Sequence, residues 1–129
     1  MQQLQQQPKI DVSPAQWAIV HAILQQHVPN FAVWAFGSRA TYKAKPYSDL
    51  DLAIITQQPL DLSISANLTE DFAESDLPFK VDLVDWATTS AVFRKIIEQD
   101  KVVLQSGAQK ASSTAEENAT MVAAIKASI

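Results

Sequence analysis

Residues 31–56 read FAVWAFGSRATYKAKPYSDLDLAIIT, and the fold turns on how this stretch is divided. Phe31 to Phe36 is a short run of aromatic, small and β-branched residues, suited to a buried strand and closed by Gly37. Gly37 is one of only two glycines in 129 residues. Glycine reaches positive φ, or lets a backbone approach a ligand closely, at no steric cost. A short helical turn is predicted from Ser38, with Pro46 ending it. That places the Ser38 and Arg39 amides at a helix start, a natural site for an anion. The Ser38 hydroxyl adds a donor, and the Arg39 guanidinium can pair with phosphate oxygens in a bidentate way. A plain strand-to-helix turn accounts for Gly-Ser taken alone.

Leu50 to Thr56 reads as a second strand, stopped by Gln57-Gln58-Pro59. Asp49-Leu50-Asp51-Leu52 alternates strictly, so on a strand both carboxylates share one face, about 6.6–6.8 Å apart along the chain. Two carboxylates placed this way can hold two divalent cations about 3.5–4 Å apart, the arrangement used for in-line phosphoryl displacement. Hard oxygen ligands suit Mg²⁺, which also binds substrate phosphates. A solvated strand face explains an isolated Asp-x-Asp equally well. The discriminating residue is a third aspartate, in Lys80-Val81-Asp82-Leu83-Val84-Asp85-Trp86. Asp82 stands between apolar neighbours in a predicted strand, where a carboxylate is costly unless paired, hydrogen-bonded or metal-bound. If that strand lies beside the Asp49–Asp51 strand, Asp82 completes the cluster. Asp85 points to the opposite side and is the weaker candidate.

Working outward, Ser13-Pro14-Ala15-Gln16 forms a capping-box signal with proline at the first helical position. Trp17, Val20, Leu24 and Val28 recur at helical spacing, predicting a helix to about His27 before Pro29-Asn30 breaks it. Leu60, Ile64, Leu68 and Phe72 predict a second helix ending before Pro78. Phe79 to Trp86 is a third strand. Thr88 or Thr89 is expected to cap a further helix through Glu98. Lys101 to Leu104 is either an edge strand or the end of that helix. Residues 1–12 read as a polar, disordered leader, residues 13–105 as one domain, and residues 106–129 as a flexible tail or weak helix. The order of elements predicts an α/β (α+β) domain: a small mixed sheet flanked by helices.

Composition narrows the function. Ten basic residues against 14 acidic give a net charge of −4, so the surface as a whole does not attract nucleic acid or an anionic membrane. Three of those ten, Arg39, Lys43 and Lys45, nevertheless cluster in the loop after Gly37. With no cysteine, thiolate nucleophiles, disulfides and zinc-thiolate sites are excluded. The N-terminal residues lack the pattern of a secretory signal, and no apolar run approaches a membrane span, so the chain is read as cytoplasmic. His21 and His27 read as ordinary helix residues, Trp17 and Trp34 as core, and Arg94-Lys95 as a solvated helix face.

Gly37-Ser38, then Asp49-x-Asp51, with Asp82 on a later strand, resembles the signature of the DNA polymerase beta-like nucleotidyltransferase superfamily. The short chain resembles its minimal nucleotidyltransferase (MNT) branch, antitoxins encoded beside HEPN-domain ribonuclease toxins. The resemblance spans about residues 14–104 and rests on WAFGSRA, YSDLDLAI and VDLVDWA together. It implies that Gly37, Ser38 and Arg39 bind nucleotide, the first two through the β- and γ-phosphates. Asp49 and Asp51 would bind two Mg²⁺ ions. Asp82 would ligate the ion that activates the attacking hydroxyl and act as its base. ATP is then the donor, and a tyrosine of the HEPN partner is the implied acceptor, giving an AMPylated and silenced toxin. One departure stands out: the family loop commonly runs Gly-Ser-Arg-Ala-Arg-Gly, whereas Thr41-Tyr42 replaces the last pair here. Lys43 and Lys45 are candidates for the lost positive charge.

Two other functions fit the same residues: a non-catalytic antitoxin that neutralises its toxin by binding, and nucleotidyl transfer to a small molecule. Relatives of the second kind usually carry an extra domain, and a chain this short has little material for one. Template-directed polymerisation is disfavoured by the acidic surface.

Overall fold

The computed structural model describes residues 7–107. Helix α1 (Pro14–His27) opens with the expected capping box: the Ser13 hydroxyl accepts from Gln16 N, and the Gln16 side chain accepts from Ser13 N. Strand β1 (Ala32–Phe36) follows, then a 13-residue loop, then β2 (Leu50–Ile55). Helix α2 (Leu62–Ala73) crosses to β3 (Val81–Asp85), a 3₁₀ turn spans Trp86–Thr88, and helix α3 (Ala91–Asp100) leads into β4 (Val102–Ser106). The four strands form one mixed sheet in the order β3-β2-β1-β4. β1 runs antiparallel to both β2 and β4, while β2 and β3 are parallel, as the α2 crossover requires. The predicted mixed sheet with flanking helices is therefore the observed architecture.

Strand alternation sends two sets of side chains to opposite faces. On one face Val33, Ala35, Leu50, Leu52 and Ile54 meet Val20 and Leu24 of α1 and Leu68 and Phe72 of α2, all fully or nearly fully buried. On the other face Phe36, Ala53, Trp34, Ile55 and Val84 meet α3, whose single buried side chain is Ile97. Trp34 and Trp86 pack edge to face here, 5.2 Å between centroids, and Lys101 Nζ lies 4.0 Å from the Trp34 ring centroid.

Several expectations are corrected. Residues 8–12 are not a loose leader: Ile10 is 1% exposed in the main core, and Asp11 N donates to Arg39 O at 2.8 Å. One buried isoleucine among glutamines is too weak a signal for sequence periodicity to register. Helix α2 is shorter than its apolar spacing predicts because Asp61 caps it, accepting from Ser63 N and Ile64 N. Helix α3 begins at Ser90, which accepts from Phe93 N, since Thr88 and Thr89 hydroxyls instead bond back to Asp85 O. Lys101 to Leu104 resolves as an edge strand. Arg94 is no solvated side chain: Nε and Nη2 donate to Trp86 O at 3.1 and 2.6 Å, and the guanidinium lies over the Trp86 ring. His27 pairs with Asp71, tying α1 to α2. The expected tail, beyond Gly107, lies outside the described residues.

Candidate active site

Gly37 ends β1 with φ +78°, a conformation that strains other residues. A Cβ built there would lie 3.4 Å from Asp51 Cγ and closer still to Oδ2. Glycine is thus required twice, by the backbone and by the carboxylate beside it. The loop then makes one helical turn, with Ala40 N and Thr41 N donating to Gly37 O and Lys43 N donating to Ser38 O. Tyr42 closes that turn at φ +60°, although it is not glycine. It stands where the family loop commonly carries its second glycine, so the backbone keeps the left-handed shape at a cost of roughly 1 kcal/mol or more.

The sheet assembles the acidic groups. Asp51 on β2 lies opposite Phe36 on β1 and opposite Asp82 on β3. Asp49 immediately precedes β2, whose Leu50 N donates to Lys80 O at 2.9 Å. Oxygens from Asp49, Asp51 and Asp82 all lie within 4.8 Å of one another. The Asp82 strand does lie beside β2, running parallel to it, and supplies the third carboxylate. Asp85 is occupied elsewhere, accepting from Thr56 Oγ1 and, at 2.7 Å, from Leu60 N.

Crowding three carboxylates has an electrostatic consequence. Burial, then the charges of Asp82 and Asp49, push the Asp51 carboxyl up to about 6. The Asp49 carboxyl is also raised, chiefly by its hydrogen bond with Asp82, then by desolvation and repulsion, with Lys80 and Arg39 pulling the other way. Among the described residues the one ion pair to the cluster is Lys80 Nζ to Asp82 Oδ1 at 3.5 Å. Such a cluster suits a hard divalent cation. Mg²⁺ holds ligand oxygens about 2.0–2.1 Å away, hence at most about 4.2 Å apart.

Arg39, expected among the nucleotide ligands, has its guanidinium elsewhere. It is 5% exposed, and its donors go to backbone carbonyls: Nε to Ser48 O, Nη1 to Asp11 O, and Nη2 to Lys45 O and Pro46 O. The Phe79 ring lies 3.9 Å from Cζ. The guanidinium therefore organises the 45–48 segment that delivers Asp49. Gly37 lines the cleft, Ser38 follows it in the turn as a half-buried residue, and Lys43 and Lys45 are exposed in the loop.

A cleft of about 510 Å³ opens over Gly37, Asp51 and Asp82 and extends to Phe36, Val84, Phe93 and Ile96. Phe93 and Ile96 of α3 form its apolar wall, and the helical spacing of apolar residues in the sequence does not say what covers them. Of the apolar residues of α3 only Ile97 is buried; Val92, Phe93 and Ile96 are exposed.

Comparisons with known proteins agree with this geometry. The chain matches the Polymerase beta, Nucleotidyltransferase family over residues 19–109. It is 58% identical over 97 residues to the "Probable protein adenylyltransferase MntA" of Haemophilus influenzae, covering 75% of this chain and 85% of that one. A solved toxin–antitoxin structure with AMP-PNP superposes with TM-score 0.60 at 24% identity, covering 86% of this chain and 90% of its own. A structure of a tri-AMPylated Shewanella oneidensis HEPN toxin in complex with an MNT antitoxin gives TM-score 0.53 at 24% identity, covering 84% and 85%. At these identities the two structures speak to the fold. With a glycine-led turn and three convergent carboxylates on the matching sheet, the chain belongs to the polymerase beta nucleotidyltransferase family, as an MntA-type member.

Proposed function

We propose that this protein transfers AMP from ATP to a tyrosine hydroxyl of a HEPN-domain ribonuclease toxin, and so acts as that toxin's antitoxin in the cytoplasm. The observation that carries this reading is the Asp49–Asp51–Asp82 cluster directly beside the Gly37 turn, in a chain 58% identical to a protein adenylyltransferase of MntA type. Asp49, Asp51 and Asp82 would hold two Mg²⁺ ions. Bound there, the metal supplies Lewis-acid stabilisation of the charge that develops on the phosphoryl oxygens.

The chain's own groups do the rest. The amides at the start of the 38–41 turn and the Ser38 hydroxyl orient the β- and γ-phosphates, with Gly37 leaving room for them. The acceptor oxygen attacks the α-phosphorus, and the α–β bridging P–O bond breaks in line. Pyrophosphate leaves with the electron pair, and the acceptor proton passes to the Asp82 carboxylate. A hydroxyl positioned this way gains most of its rate advantage from alignment. Among the described residues no helix is long and apolar enough to cross a membrane.

Incubation with labelled ATP, Mg²⁺ and a cognate HEPN-domain toxin tests the reading. Label should appear on a toxin tyrosine, and Asp49→Asn with Asp51→Asn should cut the rate by about 10³-fold. Protection of cells by an unlabelled, purely bound complex of that double variant would favour a non-catalytic antitoxin instead.

A further inference from the structure

The loop between β1 and β2 begins and ends at the acidic cluster. Gly37 abuts Asp51 at one end, and Asp49 belongs to the cluster at the other. The segment between them therefore borders the reaction site. Residues 38–48 include Arg39, Lys43 and Lys45 and no acidic residue. The Arg39 guanidinium is turned inward. Lys43 and Lys45 are exposed, and among the described residues neither makes an ion pair. Two tyrosines stand beside them in the chain: Tyr42 is 60% and Tyr47 79% exposed.

The backbone under these four side chains is fixed in advance. Arg39 holds the carbonyls of Lys45, Pro46 and Ser48. Lys45 N donates to Ser48 Oγ at 2.8 Å, Ser48 N to Lys45 O at 3.0 Å, and Lys43 N to Ser38 O at 2.9 Å. Tyr42 keeps φ +60°, which glycine would adopt without strain. Backbone strain of this kind clusters at sites of binding and catalysis, where it persists because the surroundings over-determine it. Rings so exposed add little to folding, whereas tyrosines on a preset backbone anchor interfaces at low ordering cost.

Charge selects the partner. The cleft beside the loop is acidic, with Asp51, Asp82 and Asp100 in its lining, while the loop itself is basic. A protein surface that carries carboxylates around an uncharged acceptor is attracted by the lysines and refused by the cluster. Its carboxylates stay at the rim, and only the neutral residue enters. A polyanion such as RNA finds two exposed lysines in this loop, on a chain of net charge −4, and little else to follow.

We propose that Tyr42, Lys43, Lys45 and Tyr47 form the docking surface for an acidic face of the acceptor protein, and so set which of its residues reaches the cleft. This rests on the adenylyltransferase reading above, in which that protein is a HEPN-domain toxin.

The test mixes the full chain with a cognate HEPN-domain toxin, without ATP, and measures the complex by calorimetry. Lys43→Glu with Lys45→Glu should weaken the toxin Kd about tenfold at low salt, and the loss should shrink toward about 1 M salt, where charges are screened within about 3 Å. Tyr47→Ala should weaken it about tenfold at either salt. Both variants, checked for folding by circular dichroism, should keep the wild-type Kd for ATP–Mg²⁺. No complex with wild-type protein, or an unchanged toxin Kd in both variants, overturns the proposal. So does a weakened ATP Kd with an unchanged toxin Kd, which assigns the lysines to the triphosphate. Oligouridine bound by wild-type protein and lost by the double variant, with toxin binding intact, assigns the loop to nucleic acid and overturns it too. Labelling is read separately: if wild-type protein transfers no AMP to the toxin, the adenylyltransferase reading fails by itself, and the ATP-free Kd values still decide the docking surface.

Discussion

The two faces of the sheet carry different trades. The face under α1 and α2 is sealed: Leu52 and Ile54, alternating with the β2 residues of the other side, are essentially without solvent contact. The face under α3 holds Asp51, Ala53 and Ile55 from the same strand, yet among the described residues only one short helix covers it. One β-strand thus serves as core on one side and as an open site on the other. The sealed face supplies the rigidity against which three like charges can be held together on the open one. A site that repels itself needs a scaffold that does not yield.

The sharpest way to break this contrast is to weaken each face in turn. Leu52→Ala should cost about 3 kcal/mol through lost burial and the cavity left behind. Ile96→Ala on the open face should cost less than about 1 kcal/mol, since half the side chain is already in water. Urea titrations of the two variants make the comparison, and equal losses would mean that α3 is as much core as α1.

Next in size is Arg39→Lys. A lysine can replace one of the four carbonyl contacts but not the fork that reaches Asp11, Lys45, Pro46 and Ser48 together. A loss of about 2 kcal/mol is expected by thermal unfolding. Mg²⁺ affinity, measured by calorimetry, should weaken as well, because the 45–48 segment leads into Asp49. Unchanged stability with lost ATP affinity would instead return the guanidinium to the phosphates.

The acidic row should make the open face sensitive to pH. Asp51 has a folded carboxyl raised to about 6, so the folded state holds a proton that the unfolded chain has released. Its favourable contribution is complete at pH below the ordinary carboxylate range and is lost as pH rises through about 6. Metal-free protein should therefore lose thermal stability between pH 4 and 7, Mg²⁺ should restore it at pH 7, and Asp51→Asn should flatten the profile. A profile that rises over that range would contradict the assignment.

The smallest effect is expected at Tyr42. Tyr42→Gly relieves the left-handed backbone but adds freedom to the unfolded chain, leaving a net gain of roughly 0.5 kcal/mol, or about 3 °C in Tm. Toxin labelling by this variant reports whether the exposed tyrosine ring also matters to the reaction.

How much of this was legible in the sequence follows from range. Gly37 and the Asp49–Asp51 alternation announce themselves within a few residues, because φ preference and strand period are local properties. Asp82 was found from its cost: a carboxylate inside an apolar strand needs a reason. Arg39 misled because an arginine beside Gly-Ser suits phosphate on local grounds, while its carbonyl partners lie up to 28 residues away. Ile10 escaped for the same reason, its neighbours being brought to it by the fold. Phe93 and Ile96 show the limit of periodicity, which reports that a helix has an apolar face without saying what covers it.

The pairing of Asp11 with Arg39 bears on where a working fragment can be cut. Each backbone or side-chain donor reaches the other residue: Asp11 N to Arg39 O at 2.8 Å, and Arg39 Nη1 to Asp11 O at 2.7 Å. Residues ahead of the first helix therefore act as a keystone for the loop on which Asp49 rides. A version trimmed to start at Ser13 would keep every described helix and strand, and still arrive with its acidic cluster unmoored.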